Sequence, residues 1–321
     1  MNGFSEMSAK KIPLTVSILC MMAFIVIFPA ESLSAAADSL QLWLNRALPS
    51  LLPFMIAVNI LSAVGFTEII GKWLKNFMKI FGVPGEGGFA LAAGLCSGYP
   101  IGAKMTAQLR EDGTLTQTQA QRLISFANNS GPLFILGTVG VGMFHSKQIG
   151  YFLLLTHYAA AFITGLLFSS YKGRAEDARR RIAPVRAPDE TKPLGAILSQ
   201  SVMNAIESMA LIGGFIIFFG VLCKGVLMLP FLSRGSASIV SGILEMTNGL
   251  FLTQGAGLPL KIRVLTAAGL ISFGGLSILA QTISMIGKTD IKAYVYFFSK
   301  IINAIAAVAV GCLLYPLFGF Q

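Results

Sequence analysis

Residues 92–144 read AAGLCSGYPIGAKMTAQLREDGTLTQTQAQRLISFANNSGPLFILGTVGVGMF, and the reading of this stretch decides the fold. Two interruptions stand in an otherwise apolar context: Ser97-Gly98-Tyr99-Pro100 and Asn128-Asn129-Ser130-Gly131-Pro132. Each combines a proline, which removes a backbone donor, with a glycine, which loosens the chain, and with polar side chains. Hydrocarbon cannot satisfy the backbone groups such breaks release. They are tolerated at membrane depth only where they are buried in protein or line a wet cavity. Transporters build their sites at breaks of this kind.

The composition around this stretch fits that setting. Of 321 residues, 55% are hydrophobic and 12% charged, with a mean hydropathy of +0.73. A soluble domain carries roughly twice that share of charge, and the apolar runs reach the ~20 residues a bilayer span needs. The chain reads as an all-α polytopic membrane protein. Its net charge of +10 does not call for nucleic acid. Seven basic residues fall in the linker 172–192 and most others flank apolar runs, as the positive-inside rule describes. The four cysteines (Cys20, Cys96, Cys223, Cys312) are scattered through apolar segments, with neither metal-ligand nor disulfide spacing. His145 and His157 are not at ligand spacing and read as structural. No metal or cofactor is expected, and the absence of a GxxxxGK[ST] run argues against ATP-driven pumping.

In chain order, Lys10-Lys11 precede an apolar run over 12–30, then Ser32-Leu33-Ser34-Ala35-Ala36. This is a retained first helix or a secretory signal. In either case the N-terminus is cytosolic, and an external loop with Glu31 and Asp38 completes residues 1–45. A first repeat is expected over 46–171. It opens with a span over 47–65 and an interfacial helix in which Lys72, Lys75 and Lys79 flank Trp73. A re-entrant hairpin over 89–109 and a broken helix over 116–144 follow. Thr116 and Gln119 have the spacing of a capping box. A return span over 149–170 leads to the basic cytosolic linker 172–193, a mobile connector with three prolines.

The second half, 194–321, repeats the first. Gly65-Phe66, Gly71 and Lys75 correspond to Gly214-Phe215, Gly220 and Lys224 at an offset of 149, and Leu123-Ile124-Ser125-Phe126 to Leu270-Ile271-Ser272-Phe273 at 147. Gly94 matches Gly242. The half reads as a span over 194–222, a re-entrant over 235–260 around Glu245-Met246-Thr247-Asn248-Gly249, a broken helix over 264–286 and a span over 293–318. Three full spans and one hairpin per half make the second half inverted relative to the first.

The run Gly94-Leu95-Cys96-Ser97-Gly98-Tyr99-Pro100-Ile101-Gly102-Ala103-Lys104, the Leu-Arg-Glu-Asp-Gly after it, and Phe126-Ala127-Asn128-Asn129-Ser130-Gly131-Pro132 resemble the sporulation integral membrane protein YlbJ family. That family lies within the group carrying a nucleoside-recognition (Gate) domain. The resemblance covers most of the chain. It implies a multi-pass inner or forespore membrane protein of spore-forming bacteria that moves a small anion, with dipicolinate as leading candidate. Kinship with concentrative nucleoside carriers, built on inverted repeats and re-entrant hairpins, is also implied. No motif read from the residues themselves supports a nucleoside.

Two hairpin tips and two broken helices meeting near the midplane would present free N–H groups and positive dipole ends to a carboxylate. Candidate solute-binding residues are Ser97, Gly98, Tyr99, Asn128, Asn129, Ser130, Thr247, Asn248, Ser272, Phe273 and Ser277, with Tyr99 or Phe273 able to stack on an aromatic ring. Each single Ser or Asn is equally readable as interhelical glue. Lys104 either attracts an anion or snorkels to the cytosolic interface. Glu207 and Glu245 are the acids placed at membrane depth, where a bare carboxylate costs at least ~2.5 kcal/mol. Each is a proton-coupling group or is held in a fixed pair, with Lys300 one available partner. The expected partners are the bilayer and a small anionic solute; homo-oligomerisation stays open. A structural role in the spore envelope and a nucleoside carrier are the alternatives. An enzyme is disfavoured, because no Ser/His/Asp constellation or paired acids appear.

Overall fold

The computed structural model of the chain describes residues 12–172, 193–229 and 233–320, whose regular structure is all helix, with no strand among them. Helices α1 (Ile12–Ile27) and α2 (Pro29–Leu42) lead through a π-helical turn (Trp43–Ala47) into α3 (Leu48–Ala63), followed by α4 (Phe66–Ile80). A hairpin of α5 (Gly87–Ser97) and α6 (Ile101–Glu111) comes next. An interrupted helix then forms α7 (Gln117–Ala127) and the π-wound α8 (Leu133–Met143), and a long α9 (Lys147–Phe168) closes this part. After α10 (Leu194–Leu227) the same order of elements returns. There is a hairpin, α11 (Arg234–Leu244) and α12 (Met246–Gln254), then an interrupted helix, α13 (Leu260–Phe273) and α14 (Gly275–Ile286), then a long α15 (Ala293–Phe318).

Five stretches are long and apolar enough to cross a membrane: Pro29–Ala63, Lys147–Phe168, Leu194–Leu227, Leu260–Ile286 and Ala293–Phe318. The first differs from expectation. Where an external loop over 31–45 is expected, the chain is helical, and the span drawn from Ala47 begins at Pro29. The small and polar residues that suggested a loop pack instead. Ser32 and Ser39 are buried and donate to the carbonyls of Pro29 (3.1 Å) and Ala35 (2.7 Å) on their own helix. From 173 on, the basic linker lies outside the described residues.

Local chemistry sets the ends of these helices. The Thr116 side chain accepts from the Gln119 amide (3.2 Å), and the Gln119 side chain accepts from the Thr116 amide (2.9 Å), completing the expected capping box at the start of α7. Ser146 caps α9 and Ser233 caps α11 in the simpler one-bond manner. The breaks differ in kind. Between α7 and α8, Asn128 leaves helical geometry at φ −95°, ψ 97°, and Pro132 restarts the chain. Between α13 and α14 the turn is made by Gly274 and Gly275 at φ +85° and +83°, a region a side chain strongly disfavours.

The hairpins close glycine on glycine. A Cβ on Gly94 would lie 1.9 Å from the Ala127 carbonyl oxygen and 3.1 Å from the Gly102 Cα, and a Cβ on Gly249 would lie 2.1 Å from the Gly242 Cα. Each hairpin leans on the helix that ends in the shared Leu-Ile-Ser-Phe sequence: Gly94 on Ala127 just after the first copy, Gly242 on Leu270 of the second. On α4, Trp73 is 78% exposed while Gly71 and Met78 are buried, the one-sided pattern of an interfacial helix.

One rim of the bundle is tied across its halves. Arg110 forms a two-pronged ion pair with Asp290 (2.8 and 2.9 Å) in the loop between α14 and α15, and also donates to the Leu115 carbonyl (3.0 Å). Gln117 donates to the Asp290 carbonyl (2.6 Å), and Gln121 exchanges hydrogen bonds with the backbone of Lys292. Beside this clamp, buried Arg122 donates to the carbonyls of Gly82 (2.9 Å) and Tyr171 (2.8 Å), pinning the turn after α4 to the end of α9.

Candidate functional site

The two hairpin tips reach one cavity of ≈ 780 Å³. The first tip brings Ser97, Gly98 and Tyr99 to its wall, the second brings Glu245, Met246 and Thr247, and the break before α8 brings Ser130 and Gly131. A second cavity of ≈ 600 Å³ adjoins it, lined by Asp38, Arg46, His145, Lys224, Glu245, Thr247 and Asn248 among others. Volumes of this order suit a small organic molecule. The Ser97 hydroxyl is buried and has no hydrogen-bond partner among the described residues.

Glu245 ends α11 and begins α12. One carboxylate oxygen accepts from the Thr247 amide (3.1 Å) and the other from the Asn248 amide (2.8 Å), so the side chain caps α12 at its positive dipole end. It is 6% exposed and lies on the walls of both cavities. Both of its oxygens are thus engaged by backbone donors, with no ion pair to Lys300.

Lys300, 2% exposed on α15, is spent elsewhere. Its ammonium donates to the Asn128 carbonyl (2.6 Å) and the Tyr99 hydroxyl (3.1 Å), and lies 4.9 Å from the Tyr99 ring centre and 5.7 Å from that of Tyr296. The orphan carbonyl left by the first break thus receives a cation from the second half. Tyr99 in turn donates to the Ile271 carbonyl (3.3 Å). The phenol therefore ties the first hairpin tip to α13 while its ring edges the larger cavity.

The remaining predicted residues divide by place. Asn128 is buried. Its amide donates to Thr282 (3.0 Å) and Tyr296 (2.8 Å), and its carbonyl oxygen accepts from the Ala103 amide (3.3 Å). Asn129 is also buried and donates to the Phe126 carbonyl (2.6 Å), leaving its own oxygen unpartnered. Neither lines either of the two cavities. Ser272 lies in the packed interior between His157 and Asn303. Ser277 is buried and accepts from Gln281, which does reach the larger cavity. Phe273 packs edge-on to Phe297, with ring centres 6.3 Å apart. Lys104 donates to the Asn204 carbonyl (3.1 Å) and the Ser208 hydroxyl (2.9 Å) on α10 and lines neither of the two cavities. Glu207 is exposed on α10, away from both cavities.

His157 has more to do than its isolated position in the sequence suggests. Its Nε2 accepts from the Ser130 amide (2.9 Å), which places the ring proton on Nδ1, 2.8 Å from the Ser272 hydroxyl. One imidazole thereby joins the two interrupted helices. Arg46 is the other residue that sequence reading passed over. It lines both cavities from the π-helical turn. A cation midway along the apolar stretch Pro29–Ala63 was the available signal.

The fold and site together define a class: a polytopic helical membrane protein in which two helical hairpins and two interrupted helices surround solute-sized space. Residues 44–172 match the Gate family model, described as nucleoside recognition. The chain is 33% identical, over 333 aligned positions, to the sporulation integral membrane protein YlbJ of Bacillus subtilis (strain 168), covering 94% of this chain and 82% of that protein. This chain belongs to the YlbJ family of sporulation integral membrane proteins. No solved structure matches it.

Proposed function

We propose that this chain is a secondary transporter, or a gated permeation pathway, for a small organic anion in spore formation, with dipicolinate the leading candidate. The observation that carries the reading is the arrival of both hairpin tips and the Ser130–Gly131 break at one cavity. Helices α5 and α6 have 11 residues each, about 16 Å at 1.5 Å per residue. That is half of a ~30 Å hydrocarbon core. The hairpin therefore enters and leaves on one face. The recurring order of hairpin, interrupted helix and long helix, with glycine pairs at matching places, supports two repeats of opposite orientation. The N-terminus and the Arg110–Asp290 clamp are cytosolic in this arrangement, and Asp38 and Lys224 face the other side. Solute binding is carried by the chain's own side chains, without catalysis.

The test is uptake into vesicles reconstituted with the purified chain. Labelled dipicolinate should accumulate above the level of protein-free vesicles, and unlabelled uridine should not compete. The match of residues 44–172 to a nucleoside-recognition family favours a second reading, a nucleoside carrier. Uptake of labelled uridine together with no dipicolinate uptake would decide for it.

A further inference from the structure

The residues common to both cavities are Leu42, Arg46, Thr138, Ile216, Glu245 and Thr247. Arg46 and Glu245 are the charged members of this seam. No ion pair joins them; among the described residues the ion pair is Arg110–Asp290. Both oxygens of Glu245 are engaged by the amides of Thr247 and Asn248. The acid at the seam is thus compensated by the start of α12, and the guanidinium is left to the cavity. Arginine cannot shed its charge by deprotonation, so the seam carries a permanent cation.

The backbone that bears Arg46 is anchored. The Trp43 indole donates to the Met209 carbonyl on α10 (3.0 Å) and lies where a Cβ on Gly213 would come within 2.7 Å of the ring. The Arg46 carbonyl accepts from Ser50 (2.7 Å). On the wall of the larger cavity the unpartnered Ser97 hydroxyl stands ready as a donor. We propose that Arg46 selects the charge of the solute: its planar fork binds one carboxylate of a small anion side-on, with hydroxyls of the hairpin tips completing the contact. This rests on the carrier reading and sharpens it, because a neutral nucleoside has no group that needs this cation.

The experiment is thermal stabilisation of the purified full chain, titrated with pyridine-2,6-dicarboxylate and with uridine, for wild type, Arg46→Gln and Arg46→Lys. The dicarboxylate should stabilise wild type. Its half-saturating concentration should rise roughly tenfold to a hundredfold in Arg46→Gln, the range for losing a charge-assisted hydrogen bond. Arg46→Lys should fall between, since a point charge lacks the fork. Equal stabilisation of wild type and Arg46→Gln would overturn the assignment to Arg46 and leave the carrier reading standing. No stabilisation of wild type by the dicarboxylate would overturn the carrier reading and this inference with it. Should Arg46→Gln not fold, unchanged affinity in Arg46→Lys would overturn the assignment.

Discussion

Asn128 and Ser97 sit in neighbouring interruptions of one stretch and look alike in sequence, but the packing gives them different work. Asn128 offers its amide and its oxygen to three partners in the interior, whereas the Ser97 hydroxyl has none and borders the cavity. Leucine at 128 would strand the Ala103 amide, at about 1–3 kcal/mol for a buried orphan, and leave the hydroxyls of Thr282 and Tyr296 with their mutual hydrogen bond (3.4 Å). Asn128→Leu should therefore lower thermal stability and membrane abundance together, read by a melting assay and by quantitation in membranes. Glu245 caps α12, and in the proposed carrier it is also the candidate proton-coupling group. Glu245→Gln retains one acceptor for α12 while removing the charge, so stability should change little and the pH dependence of uptake should flatten. An unchanged pH profile in reconstituted vesicles would remove Glu245 from proton coupling. Glu245→Ala also removes the cap, costing about 0.5–2 kcal/mol, visible as a lower melting temperature in the same preparation.

Among the elements, the hairpins depend on close backbone contact and the rim depends on charge. Alanine at Gly94 or Gly249 would put a methyl about 2 Å from backbone atoms. Each substitution should destabilise by roughly 1–3 kcal/mol or more, and comparable losses in the two halves are expected if the hairpins are equivalent parts. Melting of both variants side by side checks this. At the rim, the hydrogen bond from Arg110 holds the Asp290 carboxyl below its ordinary value. A carboxyl depressed in the folded state stabilises the fold above its ordinary value, and this contribution is lost as pH falls through the folded value. Asp290→Asn should therefore cost no more than about 1 kcal/mol at neutral pH, since the pair is partly exposed to solvent. The gap between variant and wild type should close on acidification. A gap that persists in acid would show that the clamp acts by some means other than charge.

Across the molecule, the parts of the fold most legible in the sequence were those whose signal is local. The capping box at Thr116, the one-sided lysines around Trp73, the two breaks and the long apolar runs each announce themselves within a few residues. The helix Pro29–Ala63 did not, because buried serines on a close-packed helix have the composition of a loop. The candidate site was half legible. Ser97, Gly98, Tyr99, Ser130, Thr247 and Glu245 could be placed together because hairpin tips and breaks bring polar groups to one depth. The bond from His157 to both interrupted helices and the turn of Lys300 toward Asn128 join residues far apart in the chain, and nothing local encodes such pairings. Arg46 carries a local signal too, a cation midway along an apolar stretch, but its place on both cavity walls depends on contacts far away in the chain.

The central claim is that water and solute reach the place where the hairpin tips meet, and a native residue can report on it. Cys96 is exposed and lines the larger cavity, whereas Cys20 and Cys312 are exposed away from both cavities, and Cys223 is buried on the wall of the smaller one. In a chain with Cys20, Cys223 and Cys312 replaced by alanine, a water-soluble maleimide should label Cys96 in reconstituted vesicles. Saturating dipicolinate should slow that labelling. Labelling that fails under native conditions yet proceeds on denaturation would show a dry, packed interior, and the account would be contradicted.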